Sequence, residues 1–522
     1  MLWGRRNVLQ VGSAIAAVAG LPAIALAEGG RVMPGALEID TGDRATPISP
    51  LIFGQFIEFL GRSITGGIFE EGSPLSDEYG FRRDVLAKVL GLQPTILRFP
   101  GGTVTKIYHW QDGIGPRAAR RARPNLIWGG VEDNHFGTDE FIRYARALKA
   151  EPFITVSMGL GTAEEASNWV GYCNGASATY YADLRRRNGS DTPYGVKYWG
   201  LGNEEDAGPD AGRLQDATEY TREAWYYAKL MKLQDRGIKL IAAGGGRDWN
   251  ARVIHDLHPV ADYVSLHLYP KTQAGVPLSL IKSADDTGTA IGALRNQIAT
   301  LAPTRVTDFD KWYRFPPRSA PMMIALDEIG IWEDAGSGVY NMETSYNWTH
   351  ALATATLYNV MIRNADIVGM ATWAQTVNVL APILTDTKGS VVQTIWFVMA
   401  LYRRFCGSHR LKATIPSPLL ALPGAEEQHC LDASATIHDD TGTISVFVVN
   451  RHPDHTVTTR IAPPKGYARF EVHELSAPGL ESGNTLAHPM KNVVAEKSKA
   501  YRTIPSSYAF PGHSVTVLRF YR

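Results

Sequence analysis

Cysteine is almost missing from this chain: Cys173, Cys406 and Cys430 are the only three in 522 residues. An odd count cannot pair fully, and no Cys-x-x-Cys spacing is present, which argues against a disulfide framework, a structural zinc site or a dithiol redox centre. One bridge between Cys406 and Cys430 stays open in an oxidising compartment. Net charge is missing too. Lys plus Arg number 52 and Asp plus Glu 52, which removes the electrostatic argument for a nucleic-acid or anionic-membrane partner and favours a neutral substrate. Gly101-Gly102 and Gly244-Gly245-Gly246 lack the following Lys-Ser/Thr of a phosphate loop, so tight turns account for them. His109, His135 and His267 show no His-x-x-x-His spacing. Neither a metal nor any other cofactor is expected.

What is present begins with a leader. Arg5 and Arg6 precede a short Ala-rich apolar run that closes on Ala25-Leu26-Ala27. Residues 1–27 therefore read as a twin-arginine-type signal peptide, and the mature protein is expected to be periplasmic or secreted, without membrane association after cleavage. Beyond it, short β-rich runs at 51–59, 95–99, 152–158, 197–201, 239–243, 263–268, 322–327 and 367–372 alternate with segments of helical period. DEFIRYARALKA, TEYTREAWYYAKLMKLQ and IGALRNQIATLA are such segments. Repeated strand then helix predicts a (β/α)₈ barrel over 49–405. From about 406 the runs become short, β-branched and alternating, as in TISVFVVN and HSVTVLRFYR, which predicts an antiparallel β-sandwich over 406–522. The strand-like ALEIDTG within 28–48 is expected to join that sheet.

The candidate chemistry lies where strands end. In such a barrel, side chains at the C-terminal strand ends converge on one mouth. The fourth run, KYWGLGNEE, places Asn203 and Glu204 there, and the seventh, MMIALDEIG, ends on Asp327 and Glu328. Two glutamates facing each other suit glycoside hydrolysis, one as nucleophile and one as acid then base. An ordinary Glu, with a pKa of about 4.3, is only about 2% protonated at pH 6, so the proton donor needs a raised pKa. An ionised partner at about 5.5 Å raises it by about two units at an effective dielectric of about 20. An ionised Glu328 would thus push Glu204 up, although spacing does not fix which glutamate takes which role. Arg98, in LRFPGG, is placed to hold a neighbouring carboxylate ionised. Asn203 is placed to bond a sugar hydroxyl beside the scissile carbon.

KYWGLGNE, LRFPGG, FGQFIEFLGRSITGGIFEEGSPL, FGTDEFIRYARALKAEPFITVSMGLGTAEEASNWVGYCNG and VNVLAPILT together resemble glycoside hydrolase family 51, the α-L-arabinofuranosidases. The likeness spans nearly the whole chain after the leader. It implies a retaining, exo-acting enzyme without a cofactor, acting on terminal arabinofuranosyl residues of plant-type polysaccharides or oligosaccharides, with Glu204 as acid/base and Glu328 as nucleophile. It further implies sugar contacts from Glu58, Asn203, Tyr269 and Gln375, and walls from Trp128 and Trp332; Arg98, Thr103 and His267 complete the expected binding set. A homo-oligomer is compatible with the resemblance, although no interface signal stands out. Departures bear on the substrate. Thr103 stands where the family has an amide (PGGN), Ile329-Gly330 replace Trp-Asn, Gln111 interrupts WEDG, and Glu205 and Asp206 add acid beside Glu204. Two alternatives therefore stay open: the same glutamate pair acting on another furanoside or a pyranoside, and a sugar-binding barrel without turnover.

Overall fold

A computed structural model describes residues 34–522 apart from 43–45, 207–212, 215, 274–275, 277, 303–319, 334–341 and 422–426. The expected twin-arginine leader, residues 1–27, lies outside the described residues. Eight strands close a barrel: β1 (Gly54–Phe56), β2 (Ile96–Phe99), β3 (Glu151–Val156), β4 (Tyr198–Leu201), β5 (Lys239–Ala242), β6 (Tyr263–Leu268), β7 (Met323–Ile329) and β8 (Val368–Ala374). Every neighbouring pair is parallel, with β8 returning to β1. Ile96, Phe153, Tyr198, Ile241, Ala325 and Met370, each from a different strand, fill the interior as one buried cluster. The barrel is therefore plugged, and a ligand can approach only from an end.

The first expected strand is the one the structure shortens most. Residues 51–59 were expected to be extended, but Pro50–Phe53 form a 3₁₀ helix and only Gly54–Phe56 pair in the barrel. Local capping decides this. Ser49 Oγ accepts the Leu51 N–H at 3.3 Å, and proline occupies the first turn, where its missing N–H costs nothing. At Gly54 a β-carbon would stand 2.4 Å from the Ala371 carbonyl oxygen, so only glycine lets β1 close against β8. Strand β7 runs longer than expected, through Ile329. Its register against β6 shifts between Ser265 and His267, and His267 then lies opposite Glu328. Such irregularities re-aim side chains, and this one brings the imidazole to the carboxylate.

Ten strands make the second sheet, running from Ala495–Tyr501 at one edge through Arg469–Ser476, Ser514–Tyr521, Ile444–Asn450, Leu431–Ile437, His409–Thr414, Ala36–Asp40 and Val457–Ile461 to Ser507–Phe510, with Thr46–Pro47 paired to His409–Thr414. Leu37, Val446, Val457, Phe470, Phe510 and Leu518 share one core, so the two ends of the path fold over each other. ALEIDTG does enter this sheet. It pairs antiparallel with His409–Thr414 and parallel with Val457–Ile461, the one departure from an antiparallel arrangement among the described pairings. Tyr402 stacks on Phe447 at 4.3 Å, and Trp348 Nε1 donates to the His513 carbonyl at 2.6 Å, fixing sheet to barrel. Cys406 and Cys430 are free thiols, as is Cys173, so the open bridge is not formed. Burial pushes the Cys406 thiol up to about 12 and Cys430 to about 11. No helix among the described residues is long and apolar enough to cross a membrane.

Candidate active site

Arg98 organises the mouth from below. It lies on β2 with no exposed surface, sandwiched between Phe56 at 4.6 Å and Phe153 at 5.6 Å. Nη1 donates to Glu328 Oε1 at 2.9 Å and to the Asp327 carbonyl at 3.0 Å, while Nη2 donates to Asn203 Oδ1 at 2.6 Å. One guanidinium thus binds the ends of β4 and β7 together. Holding the amide oxygen of Asn203 turns its NH₂ outward, and that buried nitrogen has no partner among the described residues. It is left for a ligand acceptor.

Glu328 is held at both oxygens, Oε1 by Arg98 and Oε2 by the Tyr269 hydroxyl at 2.8 Å. Gly102 lies against it: a β-carbon there would meet Oε1 at 2.6 Å. Glu204 follows the turn at Gly202 and itself adopts the left-handed region, with φ of 46°, uncommon for a residue with a side chain. His267 Nδ1 stands 2.8 Å from Glu204 Oε1 and 3.5 Å from Glu328 Oε2, and Nε2 lies 3.4 Å from Asp327 Oδ1. Oxygens of Glu204 and Glu328 and a nitrogen of His267 all fall within 4.8 Å of one another.

Proton placement differs from the expectation. Burial acts to raise the Glu204 carboxyl, but the hydrogen bond and charge of His267, with Lys106 and Arg98 behind it, outweigh burial and hold it below the usual carboxylate range. The expected push from Glu328 is overcome because a cation stands between the two acids. Burial likewise opposes charge on His267, yet Glu328, Asp327 and Glu204 together raise it well above an ordinary imidazole. Asp327 is held at about 2 against burial, by Arg98 first and then His267 and Ser265. The strongly raised acid is Glu58. Burial and the nearby Glu328 lift it to about 7, although it accepts from the Val104 N–H at 3.3 Å, Trp128 Nε1 at 3.2 Å and Gln375 Nε2 at 2.7 Å.

The remaining expected residues take distinct places. Trp128 reaches the mouth through its bond to Glu58, and Trp332 packs edge-on against Tyr269 at 5.7 Å. Thr103 is buried and opens the 3₁₀ turn Thr103–Ile107 beside Gly102. His109 and His135 do not join the mouth; each bonds a glutamate instead, Glu165 and Glu71. Glu204, His267 and Glu328 have donor atoms close enough for a metal ion. The guanidinium and the hydroxyl already donate to both Glu328 oxygens, however, and a buried cation at 2.9 Å repels a second, so the arrangement suits an ionised carboxylate rather than a metal ligand. Two contributors escaped the sequence reading. In the sequence Asp327 stands out only as a strand end, and Lys106, buried and reaching the Glu204 carbonyl at 3.1 Å, hardly at all. A lysine inside the apolar stretch TVTKIYHW was its only signal.

Known proteins resemble this one along its length. Residues 88–285 match a family profile described as the alpha-L-arabinofuranosidase 1 domain, and residues 327–514 one described as the alpha-L-arabinofuranosidase C-terminal domain. Alpha-L-arabinofuranosidase C of Emericella nidulans is 36% identical over 514 residues, spanning 93% of this chain and 97% of that protein. The intracellular exo-alpha-(1->5)-L-arabinofuranosidase 1 of Bacillus subtilis is 32% identical over 478 residues, spanning 87% and 92%. Among solved structures, the alpha-L-arabinofuranosidase of Thermotoga maritima, in complex with arabinose, superposes with a TM-score of 0.83 at 33% identity, covering 93% of this chain and 100% of that one. The GH51 alpha-L-arabinofuranosidase of Thermotoga petrophila gives 0.83 at 33%, covering 93% and 99%.

Proposed function

The chain belongs to the α-L-arabinofuranosidases of glycoside hydrolase family 51, and we propose that it is an exported, retaining, exo-acting enzyme that removes terminal arabinofuranosyl residues from plant-type polysaccharides or oligosaccharides. The observation that carries the mechanism is the approach of Glu204 and Glu328 oxygens to within 4.8 Å. A retaining pair stands about 5–5.5 Å apart, whereas an inverting pair needs about 6.5–9.5 Å to admit water.

Glu328 acts as nucleophile. Arg98 and Tyr269 donate to its two oxygens and aim it, so little reorganisation is needed when it attacks the anomeric carbon. Glu204 protonates the leaving oxygen, and its hydrogen bond to His267 supplies the proton that an acid held low lacks on its own. In the second step Glu204 takes a proton from water, which attacks the glycosyl-enzyme and frees Glu328. The unpartnered amide of Asn203 meets the hydroxyl beside the reacting carbon; Glu58 and Gln375 bind the sugar's other hydroxyls, and Trp128 and Trp332 flank it.

Proton NMR of the first product tests the mechanism. Retained anomeric configuration is expected, and an inverted product overturns it. A panel of chromogenic glycosides tests the sugar. A second reading, the same pair acting on another furanoside or a pyranoside, draws on Thr103, whose side chain is shorter than the family's amide and bonds from one atom rather than two groups. Binding without release of any chromophore would instead favour a barrel without turnover. Export rests on residues 1–27 alone, and detection of the shortened chain outside the cytoplasm tests it.

A further inference from the structure

Two buried charged residues beside the mouth have no chemical step assigned to them in this scheme. Lys106 is 1% exposed and Glu205 is 0% exposed. Burying an ammonium and a carboxylate is costly, and apolar side chains would fill the same space without that cost. Their contacts converge on one turn. Lys106 Nζ donates to the Glu204 carbonyl at 3.1 Å, and Glu205 Oε1 accepts the Asn203 N–H at 3.2 Å. Between them sits Glu204, left-handed at φ of 46° and preceded by Gly202 at 78°. A β-carbon on Gly202 would meet Glu205 Oε1 at 2.6 Å. The lysine is anchored in turn, its own carbonyl accepting the Leu160 N–H at 2.8 Å and Ser157 Oγ at 3.0 Å.

We propose that Lys106 and Glu205 form a buried brace of opposite charge that holds the Glu204 backbone in its left-handed turn, making Lys106 a positioning residue for the proton donor. The inference rests on Glu204 being that donor. Burial raises Glu205, and the charge of Lys106 is the strongest influence opposing it; the same lysine also acts to lower Glu204. The other charged groups facing Glu204 are His267 on β6, Asp327 and Glu328 on β7, Arg98 on β2, and Asp206 of its own loop.

The test compares Lys106→Met, Glu205→Gln, the double variant and Glu204→Gln on dinitrophenyl and methyl α-L-arabinofuranosides. The first leaving group needs no proton and the second does. Lys106→Met is expected to lower kcat/KM on the methyl glycoside by roughly ten- to a hundredfold, part of the hundred- to ten-thousandfold a placed acid supplies. The dinitrophenyl glycoside should change little, and the basic limb of the pH profile should move upward, because a positive charge near Glu204 is lost. The double variant removes both buried charges, so it is expected to recover thermal stability lost in Lys106→Met and to carry the shifted limb even if the single variant does not fold. Equal losses on both substrates with an unmoved limb, or strictly additive stability effects of the two substitutions, overturn the brace. If Glu204→Gln fails to discriminate between the glycosides, the donor assignment falls and the positioning role with it. If Glu204→Gln discriminates and Lys106→Met does not, only the brace is lost.

Discussion

His267 Nδ1 lies 2.8 Å from Glu204 Oε1. That contact decides where the proton of the site resides. The imidazole is encircled by Glu204, Asp327 and Glu328 and is raised well above its ordinary range, whereas Glu204 falls below its own. Both shifts favour the proton of the pair on nitrogen, and the proposed mechanism passes it from there to Glu204 and the leaving group.

Replacing His267 by Gln removes the main influence holding Glu204 down. The proton must then be held by the Glu204 carboxyl alone, which binds it less tightly than the raised imidazole, so the basic limb of kcat/KM on an alkyl arabinofuranoside is expected to move to lower pH while the rate falls. A limb that stays in place or moves to higher pH contradicts this account of the proton.

The two glutamates should respond differently to the leaving group. Glu328→Ala removes the proposed nucleophile, and a loss of at least about a thousandfold is expected on every arabinofuranoside. Glu204→Ala is expected to spare the first step on dinitrophenyl substrates while slowing alkyl ones by about a hundredfold or more. Burst kinetics with the dinitrophenyl substrate will separate the steps; identical profiles for both variants would remove the distinction between acid and nucleophile.

Gly102→Ala should be nearly as damaging as loss of a catalytic group. Its β-carbon would sit 2.6 Å from Glu328 Oε1, forcing the carboxylate off its bonds to Arg98 and Tyr269. A displacement of about 1 Å costs on the order of a hundredfold. The loss should appear in kcat with the thermal midpoint little changed, and wild-type turnover would show that the loop yields instead.

Glu58 makes stability depend on pH. Its carboxyl rises from about 4.5 in the unfolded chain to about 7 when folded. Below the unfolded value both states hold the proton; as pH climbs from about 4.5 toward 7 only the unfolded chain releases it, and about 3 kcal/mol of stability is lost by the pH at which the folded carboxyl ionises. Glu58→Gln should lack this loss, so its stability relative to wild type should increase between pH 5 and pH 8. Denaturant unfolding at the two values measures the difference, and parallel behaviour of the two proteins would contradict the raised value.

Much of the architecture was open to a linear reading. Each of the eight barrel strands falls within or overlaps a β-rich run of the sequence, because apolar period and turn residues are local properties. The exception in length, at Pro50–Phe53, arose where a serine cap and a proline outcompeted extended propensity. Glu204 and Glu328 were visible as acids at strand ends, and the structure brings them together. Lys106 and Glu205 were not legible as a pair, since nothing along the chain says that residues so far apart share one turn.

The sequence by itself determined the alternation of strand and helix, the second sheet and which acids stand at the mouth. Only the tertiary structure decided which groups carry protons. A pKa depends on burial and on charges within a few ångströms. Those charges come from distant segments: His267 reaches Glu204 across 63 positions and Arg98 reaches Glu328 across 230. Until the barrel closes, no local pattern can state that a histidine will stand between two carboxylates and reverse the shift that their repulsion alone would produce.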